Sequence, residues 1–558
     1  MIIFCKEQIN LIDFFTVKKL KLHFLLFIII LFVNCNRADP NGGLMVFRFN
    51  IYNGLSSLDP AFGAVQSNLW LDNLLFNGLV QLNEKLEILP CIAKTWEISE
   101  DLKTYTFHLR NDVFFHDDEL FSNGKGRKVN ATDFVFTFQR IIDPNVASKG
   151  SWIFNGKVTA EKPFNAINDS TFEIHLNNPY APIMGILTMP YCKVVPKEVV
   201  EHYGKDFRAH PVGTGPFKLK YWRENDALLL LKNENYFEQD SSGKQLPYLD
   251  AVYITFIENK STEFLKFRQG ELDFISDVDP SFKDDVLTKK GELQPRYRGL
   301  MVLDKSVYLN SEYIGCNLIH DSKNNPLTNL KVRQAIAYGI DRKKLITYMR
   351  NNIGLPAEHG FVTPGLDNFN ADSIKGYSYQ PELARKLLDE AGFPNGKDFP
   401  EISLLCSPST EGICNFVVNQ LKDIGIKIKV ESMEGRAIAE MKVKGTADFF
   451  RGSWTADYPD AETFLAVFYS KYGAPPNYTR FNNNTFDALY EKAISTADNA
   501  ERNKIYMQMD QLVINEAPVI PLYYDVVLRI LQPDVKGFLN NPLNLLDLKT
   551  TYINKKNK

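Results

Sequence analysis

The sequence is poor in cysteine and has no excess of charge of one sign. Its 558 residues include 7 cysteines, with 64 basic residues against 67 acidic ones. So few cysteines exclude a disulfide scaffold in a chain of this length. The balanced charge supplies no basic field, and we expect no nucleic-acid partner. Cys406 and Cys414 either bridge outside the cytoplasm or stay as buried free thiols.

The usual catalytic and metal-binding motifs are also missing. The sequence has no H-E-x-x-H, C-x-x-C, G-x-S-x-G or G-x-x-x-x-G-K-[ST]. Gly213-Thr214-Gly215 is followed by Pro216, which favours a tight turn over a phosphate-binding helix start. His116-Asp117-Asp118 is better explained as a solvated turn than as a metal site. We therefore predict no catalytic residue, no metal and no cofactor.

What is present is an ordinary globular composition behind an export signal. Hydrophobic residues make up 44% and charged residues 23% of the chain. Residues 1–34 are rich in lysine and end in the run LHFLLFIIILFV, which at about 18 Å is short of the roughly 30 Å membrane core. This is typical of a signal peptide, so we expect an exported protein in the cell envelope.

Cys35 follows that run directly. The segment resembles a bacterial lipoprotein signal, in which this cysteine receives lipid and becomes the mature N-terminus, although Asn34 stands where a small residue is usual. The resemblance implies a periplasmic or outer-face protein anchored by lipid at Cys35. An ordinary cleavable signal, with Cys35 incidental, is the alternative.

Hydrophobic periods predict the architecture of the body. Residues 44–50 and 104–110 read as strands, and a helix opens at Asp133 with Phe134, Phe138 and Ile141 inward and Thr137 and Arg140 in water. Residues 402–406, 413–424 and 426–431 form a strand, a helix and a strand, which is a βαβ unit. Helices are also predicted over 330–338 and 382–391. These patterns indicate an α/β protein with two unlike lobes.

Nine segments in order give the chain a family likeness that covers about residues 44–555. They are 93–97 (AKTWE) with 105–110 (YTFHLR), 113–117 (VFFHD), 129–136 (VNATDFVF), 213–218 (GTGPFK) with 233–236 (NENY), 269–273 (QGELD), 332–342 (VRQAIAYGIDR), 387–394 (LLDEAGFP), 454–460 (WTADYPD) and 517–524 (APVIPLYY). Together they resemble the family-5 extracellular solute-binding proteins of ABC transporters, the oligopeptide- and dipeptide-binding group. Asp118 departs from the family pattern, which has glycine there.

The resemblance implies an α/β two-lobed periplasmic-binding-protein fold (type II, large peptide-binding class). We expect lobe 1 over residues 44–306, with an extra subdomain at about 62–205, and lobe 2 over 307–523. Residues 524–558 then return to lobe 1, so the chain crosses between lobes near Val307 and Tyr523. We expect a monomer that encloses short peptides between its lobes and delivers them to a membrane permease.

The resemblance also assigns candidate ligand-binding residues. Asp457 matches the carboxylate that pairs with a peptide amine, although on its own it reads as the cap of a turn. Arg451 matches a cation for the peptide carboxylate and Lys442 falls where some relatives carry another, although either side chain reads equally as a solvated surface charge. The backbone of Gly452, Ser453 and Thr455 is expected to pair with the ligand as an added strand, and residues 54–57 are a weaker candidate for the same role. The side chains of Trp454 and Trp152 are expected to stack on the ligand, although Trp152 is equally consistent with a place in the core.

The sequence is also compatible with other functions. Related proteins carry nickel chelates, haem or oligosaccharides, and a receptor for peptide signals would share the fold. Gly435 stands where relatives have a tryptophan, so ligand preference is not transferable. An exported peptidase is a further alternative, although no nucleophile paired with a base is evident.

Overall fold

The computed structural model describes residues 43–52, 54–63, 65–278, 282–319 and 325–554. The predicted signal peptide and Cys35 lie outside these residues. Among the described helices, none combines the length and the apolar character that crossing a membrane requires.

The strands, in chain order, are β1 Val46–Asn50, β2 Val80–Leu82, β3 Ile88–Pro90, β4 Ala93–Ile98, β5 Thr104–Leu109, β6 Phe164–Asn168, β7 Thr171–His175, β8 Phe217–Arg223, β9 Ala227–Lys232, β10 Ala251–Thr255, β11 Phe274–Ser276, β12 Val302–Cys316, β13 Leu355–Pro356, β14 Ile402–Cys406, β15 Ile428–Ser432, β16 Phe449–Thr455, β17 Val519–Leu531, β18 Val535–Lys536 and β19 Tyr552–Ile553.

The α-helices are α1 Gln66–Leu75, α2 Ala131–Ile142, α3 Ile183–Ile186, α4 Lys197–Tyr203, α5 Lys260–Arg268, α6 Lys283–Val286, α7 Leu330–Tyr338, α8 Arg342–Arg350, α9 Pro381–Glu390, α10 Glu411–Lys422, α11 Gly435–Lys444, α12 Glu462–Leu465, α13 Asn484–Ile494 and α14 Asn499–Glu516. The predicted strands and helices are confirmed, with ends that shift by about two residues.

A large mixed sheet runs through the molecule. Its order is β15-β14-β16-β12-β17-β11-β1-β10-β9-β8, with β13 also paired to β17. The long antiparallel strands β12 and β17 join the two halves of this sheet, and their register shifts between Val307 and Ser311. The predicted crossing points Val307 and Tyr523 both lie in these strands. The lobe boundaries themselves stay predictions.

The predicted βαβ unit is confirmed. Strands β14 and β15 are parallel, and α10 connects them. Its inward side chains Val417 and Leu421 are fully buried, as the periodicity predicted. Cys406 at the end of β14 and Cys414 in α10 are buried free thiols, which decides between the two alternatives for this pair in the present structure.

A second, antiparallel sheet has the order β4-β5-β7-β6 and lies within the predicted extra subdomain. Helix α2 covers it, with Phe134 and Phe138 against Phe172. The prediction that Thr137 faces water is wrong. Thr137 is 3% exposed, and its hydroxyl accepts a hydrogen bond from the Val195 backbone N–H, because a later segment packs over that side of the helix.

The prediction of a tight turn at Gly213 and Gly215 is wrong, because the chain there is extended with a bend at Gly215 and packs closely on helix α1. A Cβ atom on Gly215 would lie 2.4 Å from the carbonyl carbon of Leu75. The prediction of a solvated turn at His116 is wrong, because His116 is buried against this segment and its Nε2 lies 3.0 Å from the Gly215 oxygen. Burial lowers the pKa of His116 to about 4. Across the described residues, no three His, Cys, Asp or Glu side chains are grouped to hold a metal.

We predict that Gly215→Ala lowers the urea unfolding midpoint by an amount equivalent to about 1–3 kcal/mol. The added methyl group overlaps the Leu75 backbone, and such overpacking costs energy of this size. The matched control is Gly412→Ala in helix α10, where the nearest atom is 3.6 Å away and helix propensity favours alanine. A Gly215→Ala midpoint equal to that of Gly412→Ala would contradict the close contact.

Candidate ligand-binding site

Strand β16 has a free edge at its C-terminal end. On one side it pairs with β12 along its whole length, from Phe449 to Thr455. On the other side β14 pairs with it only at Phe449 and Phe450, and no strand among the described residues continues that edge. In an antiparallel pair, alternate N–H and C=O groups point away from the partner strand. The backbone of residues 452–455 can therefore accept one further strand.

Glycine is required at one position of this edge. A Cβ on Gly452 would lie 2.4 Å from the ring of Tyr313 on the neighbouring strand. The hydroxyls of Ser453 and Thr455 both accept hydrogen bonds from the Asn310 side chain, each at 2.8 Å. Trp454 is half-buried and donates its indole N–H to the Thr463 carbonyl at 2.7 Å. These contacts fix the strand, and the Gly452 carbonyl also accepts a hydrogen bond from the Arg451 guanidinium.

Asp457 follows this strand directly. Its side chain is exposed to water, yet the surrounding protein desolvates the carboxylate and, with the neighbouring Glu462, raises the pKa of Asp457 to about 6. The carboxylate therefore contacts water on one side while protein atoms surround it on the others, and we call this position the Asp457 recess. The Thr463 hydroxyl accepts a hydrogen bond from the Asp457 backbone N–H at 3.3 Å and also hydrogen-bonds the carboxylate, and among the described residues no cation pairs with that carboxylate.

Two stretches contact this side of the site through Tyr180 and Gly185, which both meet Tyr458, and we call residues 150–158 and 180–191 the facing wall. Burial, followed by the charge of Asp457, raises the pKa of Tyr191 to about 12. A Cβ on Gly150 would lie 2.4 Å from the Tyr191 ring, so the backbone at Gly150 rests on it. Trp152, two residues further on, is 41% exposed. Gly150 thus packs on Tyr191, and Trp152 lies two residues further along the facing wall.

Tyrosines join the two sides beside Asp457. The hydroxyls of Tyr180 and Tyr458 lie 3.4 Å apart, although 278 residues separate them in the sequence. Tyr458 and Tyr490 both donate hydrogen bonds to the Glu462 carboxylate, which is 2% exposed. Burial raises the pKa of Glu462, and the two phenols oppose that rise. The Glu462 carboxylate is therefore occupied inside the protein.

A pocket opens at the same junction. Its volume is about 290 Å³, and it is lined from the facing wall by Pro182 and Gly185 and from the other side by Pro459, Asp460 and Arg502. This volume is at the lower end of the range for small-molecule sites. The junction therefore has room for a small solute beside Pro459 and Asp460, two and three residues after Asp457.

The two predicted ligand-binding cations, Arg451 and Lys442, contact other groups of the protein. Arg451 is 7% exposed and forms an ion pair with Glu312, and it also donates to the Tyr313 carbonyl at 2.9 Å. Burial alone lowers the pKa of Arg451, but Glu312 raises it above the usual range. Its guanidinium is thus engaged inside the protein. Lys442 lies 4.5 Å above the Tyr478 ring and 5.4 Å above the Phe450 ring, and burial lowers its pKa.

The structure thus brings together some of the predicted residues. Asp457, Trp454 and the strand edge form one side of the junction, and Trp152 stands on the other. Arg451 is engaged with Glu312 and Lys442 lies against two aromatic rings, and their ligand roles stay predictions. Residues 54–57 follow β1, with Ser56 exposed and Ser57 buried. Sequence reasoning missed Tyr180, Tyr191, Glu462, Glu312 and Lys157, because contacts between such distant residues leave no periodic signal in the sequence.

Comparison with known proteins agrees with this fold. Residues 87–476 match the model of the bacterial extracellular solute-binding proteins, family 5 Middle. The chain is 32% identical over 488 residues to heme-binding protein A of Haemophilus influenzae, covering 84% of this chain and 85% of that protein. It is 28% identical to the periplasmic oligopeptide-binding protein OppA of Salmonella typhimurium, covering 89% of this chain and 91% of that protein.

Solved structures give the same result and confirm the predicted α/β fold class. HbpA2 from Haemophilus parasuis superposes with a TM-score of 0.78 at 26% identity, covering 91% of this chain and 99% of that one. DppA from Helicobacter pylori, in complex with the peptide STSA, has a TM-score of 0.72 at 27% identity, covering 92% and 99%. The chain therefore belongs to family 5 of the bacterial extracellular solute-binding proteins, which are the non-catalytic solute-binding components of ABC transporters.

Proposed function

We propose that this protein captures short peptides by their free amino end and delivers them to the membrane permease of an ABC transporter. The observation that carries the proposal is the Asp457 carboxylate, which is desolvated and has no cationic partner among the described residues. Charge-assisted hydrogen bonds are strong where water is excluded. A peptide amine that enters the recess is the cation that this carboxylate lacks.

The free edge of β16 supports a peptide over other amines. An extended peptide adds a strand to such an edge through its main chain, and this pairing is independent of side-chain identity. The edge starts five residues before Asp457, so the same ligand can pair with both. Trp454 and Trp152 provide aromatic surface for varied side chains.

Haem is the second candidate, because a heme-binding protein is among the most similar relatives. Haem carries two propionate anions and no amine, so an unpaired carboxylate does not favour it. Glutathione, which the name of another relative specifies, is a tripeptide with a free amine and suits Asp457. We therefore propose peptides and peptide-like zwitterions as the cargo, with haem as the alternative.

We predict that calorimetry detects binding of mixed tri- to pentapeptides to the wild-type protein and that Asp457→Ala weakens it by about 2–5 kcal/mol. This is the usual cost of truncating one member of a buried charge pair. The matched control is Asp169→Ala, which removes an exposed aspartate between β6 and β7, outside the facing wall, and leaves affinity unchanged. Unchanged affinity in Asp457→Ala, or tight haem binding without peptide binding, would refute the proposal.

We predict that peptide affinity falls in acid. The amine pairs with ionised Asp457, whose pKa is about 6 in the free protein, next to Glu462, Thr463 and Tyr191. Affinity is then constant above about pH 7 and weakens roughly tenfold per pH unit below 6, because the carboxyl proton must be released on binding. Titrations between pH 5 and 8 test this. Asp457→Asn should bind weakly with no such slope, and an identical slope in that variant would assign the effect to another group.

We also propose that lipid on Cys35 anchors the protein in the cell envelope. We predict that Cys35→Ser moves the protein from the membrane pellet to the soluble fraction after cell fractionation. The physical reason is that the described chain offers no helix fit to span a bilayer. A Cys35→Ser protein that stays in the pellet would exclude this anchor.

A further inference from the structure

Lys157 occupies an unusual position on the facing wall. Its ammonium donates to the Trp152 carbonyl at 3.0 Å and lies 5.8 Å from the Trp152 ring and 5.3 Å from the Tyr180 ring. Aromatic faces attract cations at these distances. The lysine is therefore held in place by two aromatic residues. Its ammonium has three N–H donors, and the bond to the Trp152 carbonyl uses one of them.

The charge of Lys157 is not neutralised inside the described part of the chain. Burial lowers the pKa of Lys157, and the charge of Glu462 partly opposes this. Glu462 is not within ion-pair distance, because its carboxylate is taken by the hydroxyls of Tyr458 and Tyr490. Keeping a half-buried ammonium without a carboxylate partner costs free energy. That cost is recovered if an anion arrives with the ligand.

Both aromatic neighbours of Lys157 lead back to the Asp457 recess. The Tyr180 hydroxyl meets that of Tyr458, the residue after Asp457. Trp152 is two residues from Gly150, which rests on the Tyr191 ring beside Asp457. The Tyr180–Tyr458 contact thus links the segment of the unpaired cation Lys157 to the segment of the unpaired carboxylate Asp457.

We propose that Lys157 binds the carboxylate end of the same solute whose amine binds Asp457. The inference rests on the proposed function and narrows it, because it makes the cargo a short zwitterion with both ends free. It also gives the ligand's carboxylate a partner in place of Arg451, which is engaged with Glu312. A solute held this way contacts both sides of the junction and stabilises their closed arrangement.

The test compares one tripeptide in free, N-acetylated, C-amidated and doubly blocked forms. Each is titrated by calorimetry into the wild type, Lys157→Gln, Lys157→Arg and Asp457→Asn. In the wild type each block should weaken binding by about tenfold or more, the effect expected for loss of a close charge pair. In Lys157→Gln, amidation should cause no further loss while acetylation still does. Lys157→Arg should keep the preference for a free carboxylate.

The matched control is Lys162→Gln, which removes an exposed lysine five residues away and should behave as the wild type. Thermal unfolding of every variant separates loss of binding from loss of fold, and Lys157→Arg covers the case in which Lys157→Gln does not fold. Equal wild-type affinity for free and amidated peptide, or an amidation penalty that persists in Lys157→Gln, overturns the role of Lys157 alone. Absence of binding by every form of the peptide overturns the proposed function, and the role of Lys157 with it.

Discussion

The proposed site depends on one constraint, which is that the fold desolvates the Asp457 carboxylate and gives it no cationic partner among the described residues. Asp457 follows a strand whose backbone is fixed on one side by β12. Two other charged groups have partners within the protein, since Glu462 accepts from two phenols and Arg451 pairs with Glu312. Asp457 and Lys157 are left without ion-pair partners among the described residues, and the proposed binding specificity rests on these two groups.

The two long strands β12 and β17 are the part of the sheet at which a bound ligand can change the angle between its two halves. They belong to one continuous sheet, yet their register shifts between Val307 and Ser311. The Arg451–Glu312 pair and Tyr523 lie close to that shift, with the Tyr523 hydroxyl 3.4 Å from the Arg451 guanidinium. A buried charge pair of this kind holds a local geometry well, because losing one partner is costly. It therefore suits a fixed point about which two halves of a sheet bend.

Much of the fold was predictable from the sequence because it depends on local patterns. The βαβ unit of β14, α10 and β15 and the alternation in β5 were read correctly, since each periodicity reflects a single buried face. Thr137 was misplaced because a side chain that looks solvent-facing on its own helix is covered by a segment 58 residues away. Family likeness supplied Asp457 and β16. It did not supply Tyr180, Tyr191 or Lys157, whose positions arise only when distant segments meet.

The open edge of β16 has a consequence for the protein without cargo. An unpaired strand edge is a template on which any extended chain can add, and it promotes aggregation when it lies on an open surface. Here the unpaired stretch is short, because β14 covers the start of β16 at Phe449 and Phe450 and the strand ends at Thr455. Short edges are one means by which proteins limit such pairing, so the brevity of this edge protects the empty protein from self-association.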